Sequence, residues 1–143
     1  MSTRSLPTLR LLAPLAVMAA IFFFSSQPFD GDPLQWWEVL MRKLGHLTGY
    51  ALLTTAWAWA LSGWARRPVL LAALFAFLYS CTDEYHQTFV DGRSGSPVDV
   101  LIDSAGIALA SLALASLSRR RTAKTKPGQD AGRPAKRAHL ERA

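Results

Sequence analysis

The chain has 143 residues, of which 50% are hydrophobic, and it carries a formal net charge of +6. Nine of its sixteen Lys and Arg residues lie within residues 119–143, whereas the other 118 residues carry seven basic and eight acidic groups. The excess positive charge therefore belongs to a tail, which argues against a nucleic-acid-binding domain, and the lone Cys81 excludes an intramolecular disulfide.

Four apolar stretches, separated by short polar segments, span residues 9–24, 44–64, 68–85 and 98–117. A transmembrane helix needs about 20 mostly apolar residues to cross a hydrocarbon core about 30 Å thick. Soluble bundles instead need a polar face on each helix, and residues 11–24, 51–61 and 68–79 have no such face. The sequence therefore predicts an all-α fold, an integral membrane bundle of four transmembrane helices.

Residues 1–26 also have some features of a secretory signal peptide, because Arg4 and Arg10 precede an apolar run. The run is long for such a peptide, and no small-x-small cleavage site closes it. The membrane prediction does not depend on this point, since the other three apolar segments remain.

Basic residues are concentrated on one side of the predicted bundle. They are Arg4 and Arg10 before the first helix, Arg66 and Arg67 between the second and third, and Arg119 to Arg121 after the fourth. Lys and Arg favour cytoplasmic loops, so both termini are predicted to be cytoplasmic. The predicted organisation is a cytoplasmic stub at residues 1–8, a four-helix membrane domain at 9–118, and a basic, disordered cytoplasmic tail at 119–143. That tail either contacts anionic headgroups or only fixes the topology.

The ionisable residues of the predicted spans gather at the outer, non-cytoplasmic ends of three helices. The second helix carries Lys43, His46 and Tyr50, the third carries Asp83, Glu84, His86 and Gln87, and the fourth carries Asp99 and Asp103, with Arg93 in the loop before it. Spacings of three, four and seven residues place side chains on one helix face. Because charged groups in a membrane are normally paired or face a cavity, we expect these residues to converge at one outer-leaflet site.

These residue types suit acid–base chemistry or anion binding. The candidate catalytic residues are His46 or His86 as the general base, Glu84 or Asp83 as the group that orients it, and Asp99. The candidate ligand-binding residues are Lys43 and Arg93, which would hold a phosphate, together with Tyr50, Asp83, Gln87 and Asp103. Alternatively, the same charges form a structural layer that only pins the helices together. A proton relay is disfavoured, because the inner half of the predicted bundle is almost uncharged.

A metal ion is a variant of the first hypothesis. Glu84, His86, Asp99, Asp103 and His46 are acceptable ligands for zinc or manganese. No metal motif spacing is present, and the HExxH order is absent. The sequence alone therefore assigns neither a metal nor a cofactor.

Two motifs resemble the VanZ-like family. They are KxxHxxxY at Lys43, His46 and Tyr50, and DExHQxF at Asp83, Glu84, His86, Gln87 and Phe89, flanked by the strings Phe23-Phe24-Ser25-Ser26-Gln27 and Asp99-Val100-Leu101. The similarity covers residues 22–110. In two places the chain departs from the family pattern, with Asp91 where Pro is frequent and Asp103 where Asn is frequent. The second departure adds a carboxylate to the predicted cluster.

The resemblance implies a small multi-pass protein of the bacterial cytoplasmic membrane, in a family named after a determinant of teicoplanin resistance. It supplies no reaction. The expected partners are the lipid bilayer and an amphiphilic cell-envelope molecule such as a lipid-linked precursor, either bound or processed, with no nucleic acid. A non-catalytic membrane scaffold or partner protein is the alternative, and the oligomeric state is left open.

Overall fold

The structure is a computed structural model that describes residues 9–28 and 35–124. Four helices make up this part of the chain: α1 (Leu12–Ser25), α2 (Trp36–Leu61), α3 (Pro68–Gln87) and α4 (Pro97–Lys124). No strand occurs within these ranges, which confirms the all-α prediction. The predicted stub at residues 1–8 and the tail beyond residue 124 lie outside the described residues.

Three helices are longer than the apolar stretches that predicted them, and α3 exceeds its stretch by only two residues. α2 begins at Trp36 rather than at residue 44, and its first turn is closed by the Gln35 N–H, which donates to the Glu38 carboxylate over 2.8 Å. α4 continues to Lys124 rather than ending at residue 117. The predicted border between membrane domain and tail therefore falls inside α4, and residues 119–124 are helical.

Short connections determine how the four helices lie. The α2–α3 and α3–α4 links occupy residues 62–67 and 88–96, so these helices run antiparallel to their neighbours in sequence. As the sequence predicts, α4 starts with Pro97, and the hydroxyl of the preceding Ser96 accepts a 3.2 Å hydrogen bond from the Val98 N–H. Consequently the end of α3 and the start of α4 lie at the same end of the bundle as the start of α2.

The core lies where α2, α3 and α4 pack against one another. Tyr50, Leu53, Ala76 and Ile107 form its buried apolar cluster. Gly106 makes the closest approach, because a Cβ atom there would collide with the backbone carbonyl of Leu47. α1 packs mainly on α2, and it is tied to α3 by the Tyr79 hydroxyl, which donates to the Met18 carbonyl over 2.8 Å.

Outside the apolar core, several polar residues are buried and many large apolar residues are exposed. The buried polar side chains are Ser25, Thr54, Ser80, Asp83, Glu84, Gln87 and Asp103. Large apolar side chains face outward on every helix, for instance Phe23, Leu52, Leu70 and Leu101, of which Leu52 is 62% and Leu101 is 68% exposed. This distribution is the reverse of that in a soluble helical bundle.

By length and composition, one helical segment of the described chain, Pro97–Arg120, could cross a membrane. α1 is apolar but shorter, with 14 residues. α2 and α3 are long enough, yet polar residues such as His46, Asp83 and Glu84 at the same end of each dilute their apolar character. The prediction of four membrane spans therefore stays a prediction.

Candidate functional site

Three helices bring their polar ends together around His46. His46 Nδ1 lies 3.1 Å from Asp103 Oδ1 and 3.9 Å from Glu84 Oε1, so one imidazole joins α2 to both α3 and α4. The second oxygen of Asp103 accepts a 2.7 Å hydrogen bond from the Ser80 hydroxyl. Asp103 is fully buried, so both of its oxygens are held by protein groups rather than by water. An imidazole oriented by a carboxylate in this way can accept a proton from a bound molecule.

Asp83 and Glu84 form the second part of this cluster. Both are at most 5% exposed. The Gln87 amide donates to both carboxylates, over 3.2 Å to Asp83 and 3.1 Å to Glu84. The Ser25 hydroxyl donates to Asp83 over 2.5 Å, and the Ser96 N–H donates to Glu84 over 2.9 Å. The cluster is thereby connected to α1 and to the loop before α4. We call His46, Asp83, Glu84 and Asp103 the acidic cluster.

Lys43 and Asp99 pair with each other at the rim. Lys43 Nζ lies 2.6 Å from Asp99 Oδ1, with the side chains 40% and 27% exposed. The spacing of Asp99 and Asp103 predicts that both face the same way, yet only Asp103 reaches His46. Asp99 therefore forms an ion pair with Lys43, the residue predicted to bind a phosphate. It lies one helical turn away from the buried Asp103.

His86 lies apart from His46. Its ring packs against Phe22 of α1, with centroids 4.7 Å apart, and its buried Nδ1 has no hydrogen-bond partner within the described part of the chain. Among the described salt bridges, His46 is the histidine that contacts carboxylates. The two histidines, equivalent as candidate bases in the sequence, therefore occupy different environments.

Tyr50 packs against His46 one helical turn further along α2. Its ring stacks on the imidazole with centroids 6.4 Å apart, and the residue is fully buried. The hydroxyl has no hydrogen-bond partner within the described residues, although Asp83, Asp103 and Glu84 all act on it electrostatically. Buried phenol groups usually find a partner, so this oxygen is a place where a ligand atom or water would be stabilised.

Arg93 contacts the C-terminal end of α1. Its guanidinium donates two 2.8 Å hydrogen bonds, from Nε to the Gln27 carbonyl and from Nη2 to the Phe24 carbonyl. Partial burial lowers the pKa of Arg93 from its usual range, and the neighbouring Arg42 lowers the pKa further. Both arginines are still protonated near neutral pH. Arg42 and Arg93 therefore place two positive charges near each other.

A cleft of about 680 Å³ runs between α1 and α2. Apolar residues such as Val17, Ile21 and Leu52 form most of its wall, and Gly45 and Gly49 leave room for it. The end of the cleft nearest the acidic cluster is lined by Ser25, Arg42, His46 and Arg93. From Arg42 to Leu52 the cleft follows α2 for about 15 Å at 1.5 Å per residue. It therefore combines a long apolar wall with a cationic end that adjoins the acidic cluster.

Several residues of this site are absent from the sequence-based candidates. Ser25, Ser80 and Ser96 supply hydrogen bonds to the carboxylates, and Arg42 lines the cleft beside Arg93. Ser25 belongs to the Phe-Phe-Ser-Ser-Gln string of the family resemblance, but the sequence did not indicate what this serine does. Gly95 was missed too, although a Cβ atom there would collide with the Glu84 backbone carbonyl.

Metal-ligating atoms also meet in this cluster. His46, Asp83 and Glu84 each offer one ligand atom, and these atoms lie within 4.8 Å of one another. His46 and Glu84 belong to the set inferred from the sequence, whereas Asp83 is new to it and His86, Asp99 and Asp103 are not part of this group. The three ligands come from two helices, which is why no linear metal motif is visible.

Comparison with known proteins gives one family. A family model described as VanZ/LLP1 matches residues 10–118 of the chain. No curated protein and no solved structure matches it. The match includes all the described cluster residues and the cleft, and it agrees with the resemblance derived from the two motifs.

Proposed function

The chain belongs to the VanZ/LLP1 family, and on that premise we propose that it is a four-span protein of the bacterial cytoplasmic membrane that binds an anionic amphiphile at the outer interface. The cleft between α1 and α2 is the observation that carries the binding proposal. An action on such an envelope molecule would account for the association of the family with teicoplanin resistance.

The reversed polarity of the bundle supports a membrane environment. Side chains such as Leu52 and Leu101 are more than 60% exposed, whereas Asp103 and Glu84 are buried. In water this arrangement would expose apolar surface on all sides, but in lipid the same surface is solvated. Buried carboxylates that pair with donors inside the bundle are also the arrangement expected of charges within a membrane.

The position of the basic residues supports cytoplasmic termini. The Arg10 guanidinium lies over the Trp59 ring at 5.3 Å from its centroid, at the end of α2 that precedes Arg66 and Arg67. Arg119 lies at the corresponding end of α4. These groups are therefore at the opposite end from the acidic cluster, as the positive-inside rule expects for an outward-facing cluster.

Cysteine labelling tests this orientation. In a Cys81→Ser background, Ser94→Cys in the α3–α4 loop should react with an impermeant maleimide in intact spheroplasts. Ser62→Cys in the α2–α3 loop should react only after permeabilisation. Both serines are exposed in the structure, so a difference in labelling reports the side of the membrane rather than burial. Labelling of Ser62→Cys in intact spheroplasts would overturn the orientation.

The shape and charge of the cleft indicate its ligand. Its apolar wall begins at the guanidinium groups of Arg42 and Arg93 and extends toward Leu52, which is towards the middle of the predicted membrane. An acyl or isoprenoid chain fits the wall, and a phosphate fits the arginines, since arginine binds phosphate oxygens through parallel hydrogen bonds. The expected ligand class is thus a chain-bearing phosphate, such as a lipid-linked envelope precursor.

Farnesyl phosphate and farnesol are matched probes for this proposal. The full chain in phosphatidylcholine nanodiscs, measured by native mass spectrometry, should retain farnesyl phosphate at least about tenfold more strongly than farnesol. A tenfold preference corresponds to about 1.4 kcal/mol, which is a modest expectation for a charge-assisted contact. Arg42→Gln should remove this preference, while Arg119→Gln at the other end of the bundle should keep it.

A substitution inside the cleft tests the chain-binding part. Gly45 lines the cleft, and a Cβ atom at this position would meet no atom within 4 Å. Gly45→Phe should therefore fill the cleft without disturbing the fold, and it should reduce the retention of both probes. Ala105→Phe, at an exposed position of α4, is the control and should leave retention unchanged. If Gly45→Phe retained each probe as strongly as the unmodified chain does, the proposal would be contradicted.

The scaffold alternative is supported by the pairs that join helices. Lys43–Asp99 and His46–Asp103 both link α2 to α4, as expected of a layer that only pins helices together. If neither probe is retained above the level of an empty nanodisc, this alternative is favoured over amphiphile binding.

A further inference from the structure

We propose that the acidic cluster binds one divalent transition-metal ion, of the zinc or manganese class, through His46, Asp83 and Glu84. This inference goes beyond the binding of an amphiphile and does not depend on it. It begins from the ligand atoms of the three residues, which lie within 4.8 Å of one another.

The buried carboxylates of the cluster must be balanced by protons or by a cation. Asp83, Glu84 and Asp103 are buried carboxyl groups, and the described salt bridges of this group involve one basic side chain, His46. Lys43 forms its ion pair with Asp99 at the rim. Several ionised carboxylates sharing one imidazole in a low-dielectric interior are strongly destabilised unless protons or a cation balance them. A divalent ion would supply that balance at the point where the ligand atoms converge.

The distances suit coordination after a small contraction. Ligand atoms at about 2.0 to 2.2 Å from zinc in a tetrahedral site lie roughly 3.3 to 3.6 Å apart. His46 Nδ1 is 3.9 Å from Glu84 Oε1, and it is 3.1 Å from Asp103 Oδ1. The tetrahedral spacing falls between these two values. The ligand atoms of His46, Asp83 and Glu84 lie within 4.8 Å of one another, so binding would draw the carboxylates inward by up to about 1 Å.

The Tyr50 hydroxyl is an independent observation that points to a ligand. It belongs to a fully buried side chain, it has no hydrogen-bond partner within the described residues, and its ring stacks on His46. Because the ring stacks on the imidazole of His46, the Tyr50 side chain lies against the acidic cluster. Water bound to a metal ion would give this hydroxyl the partner that the protein does not provide.

The neighbouring groups have the arrangement that supports metal ligands. Ser25 and Gln87 hold Asp83, and Gln87 also holds Glu84. Outer hydrogen bonds of this kind fix the direction of ligating carboxylates. A nitrogen ligand among oxygens favours zinc or manganese over magnesium and calcium, which prefer oxygen ligands alone.

Metal binding can be measured on the full chain, purified in mild detergent without a polyhistidine tag and stripped with a chelator. Isothermal titration should show one zinc or manganese ion per chain and no comparable binding of magnesium. Bound metal should also raise the melting temperature, because the ion stabilises the folded state. Glu84→Gln and Asp83→Asn should each weaken binding by about 100-fold or more.

Matched variants keep this test specific. His86→Gln and Asp99→Asn change the same residue types outside the acidic cluster, so they should bind metal like the unmodified chain, whereas His46→Gln should not. His139 of the tail is retained in every variant and cannot produce the difference. Circular dichroism establishes that each variant is folded, and Glu84→Gln serves if Asp83→Asn fails to fold.

Absence of stoichiometric binding to the unmodified chain, or equal losses in the His86 and His46 variants, would overturn the proposal. Retention of farnesyl phosphate by metal-free protein is measured separately, so either proposal can fail alone.

Discussion

Gly106→Ala should lower the free energy of unfolding by about 3 kcal/mol, the upper part of the range for overpacking a tight contact. α4 crosses α2 at this glycine, and an added Cβ would collide with the backbone carbonyl of Leu47. A flexible side chain could move aside, but a helical carbonyl can move only with its helix. The two helices would have to separate, which would also disturb the His46–Asp103 contact between them. Close approach through a small residue is a common mode of helix packing in membranes.

Gly45→Ala is the matched control for this prediction. Gly45 lies on α2 like Leu47, and no atom lies within 4 Å of the Cβ position. Alanine has a higher helix propensity than glycine by about 1 kcal/mol, so this substitution should be neutral or stabilising. Unfolding in SDS of the detergent-solubilised variants, followed by circular dichroism, gives both values. Equal stability of the Gly106 and Gly45 variants would mean that α2 and α4 do not meet as described.

The sequence predicts much of the fold because it carries two simple patterns. Helices without a polar face and short polar connections lead directly to four antiparallel helices, and Ser96-Pro97 marks the start of α4 correctly. The apolar criterion fails at the helix ends, since it cannot recognise a polar turn that continues a helix. For this reason it misses the first turns of α2 and the last turns of α4.

The candidate site is only partly visible in the sequence, because helical spacing gives direction but not depth. It places Asp99 and Asp103 on one face, yet the tilt and packing of α4 bury one and leave the other at the rim. It likewise treats His46 and His86 as equal, although one meets carboxylates and the other meets Phe22. Hydroxyl partners such as Ser25, 58 residues from Asp83, become visible only once the helices are assembled.

Because Asp103 lies deeper than Asp99, replacing it should affect stability more strongly. Asp103→Ala should lower the free energy of unfolding by about 3 kcal/mol, because removing one member of a buried pair leaves its partners unsatisfied. Asp103 is fully buried and accepts from the Ser80 hydroxyl at 2.7 Å, while its other oxygen lies 3.1 Å from His46. Both partners would lose their hydrogen bonds, and the fully buried Ser80 could not replace its own with one to bulk water.

Asp99→Ala, one turn earlier on the same helix, removes the same side chain at the rim. Its partner Lys43 is 40% exposed and can be solvated after the change, so the loss should be at most about 1 kcal/mol, as for other exposed ion pairs. Unfolding of both variants in SDS, compared with the unmodified chain, provides the measurement. A third variant, Asp103→Asn, restores the residue that is frequent in the family and keeps an acceptor for Ser80, so its loss should be intermediate. Equal losses for Asp99→Ala and Asp103→Ala would contradict the depth assigned to these carboxylates. A loss confined to Asp103 would mean that the buried carboxylate stabilises the bundle as well as completing the acidic cluster.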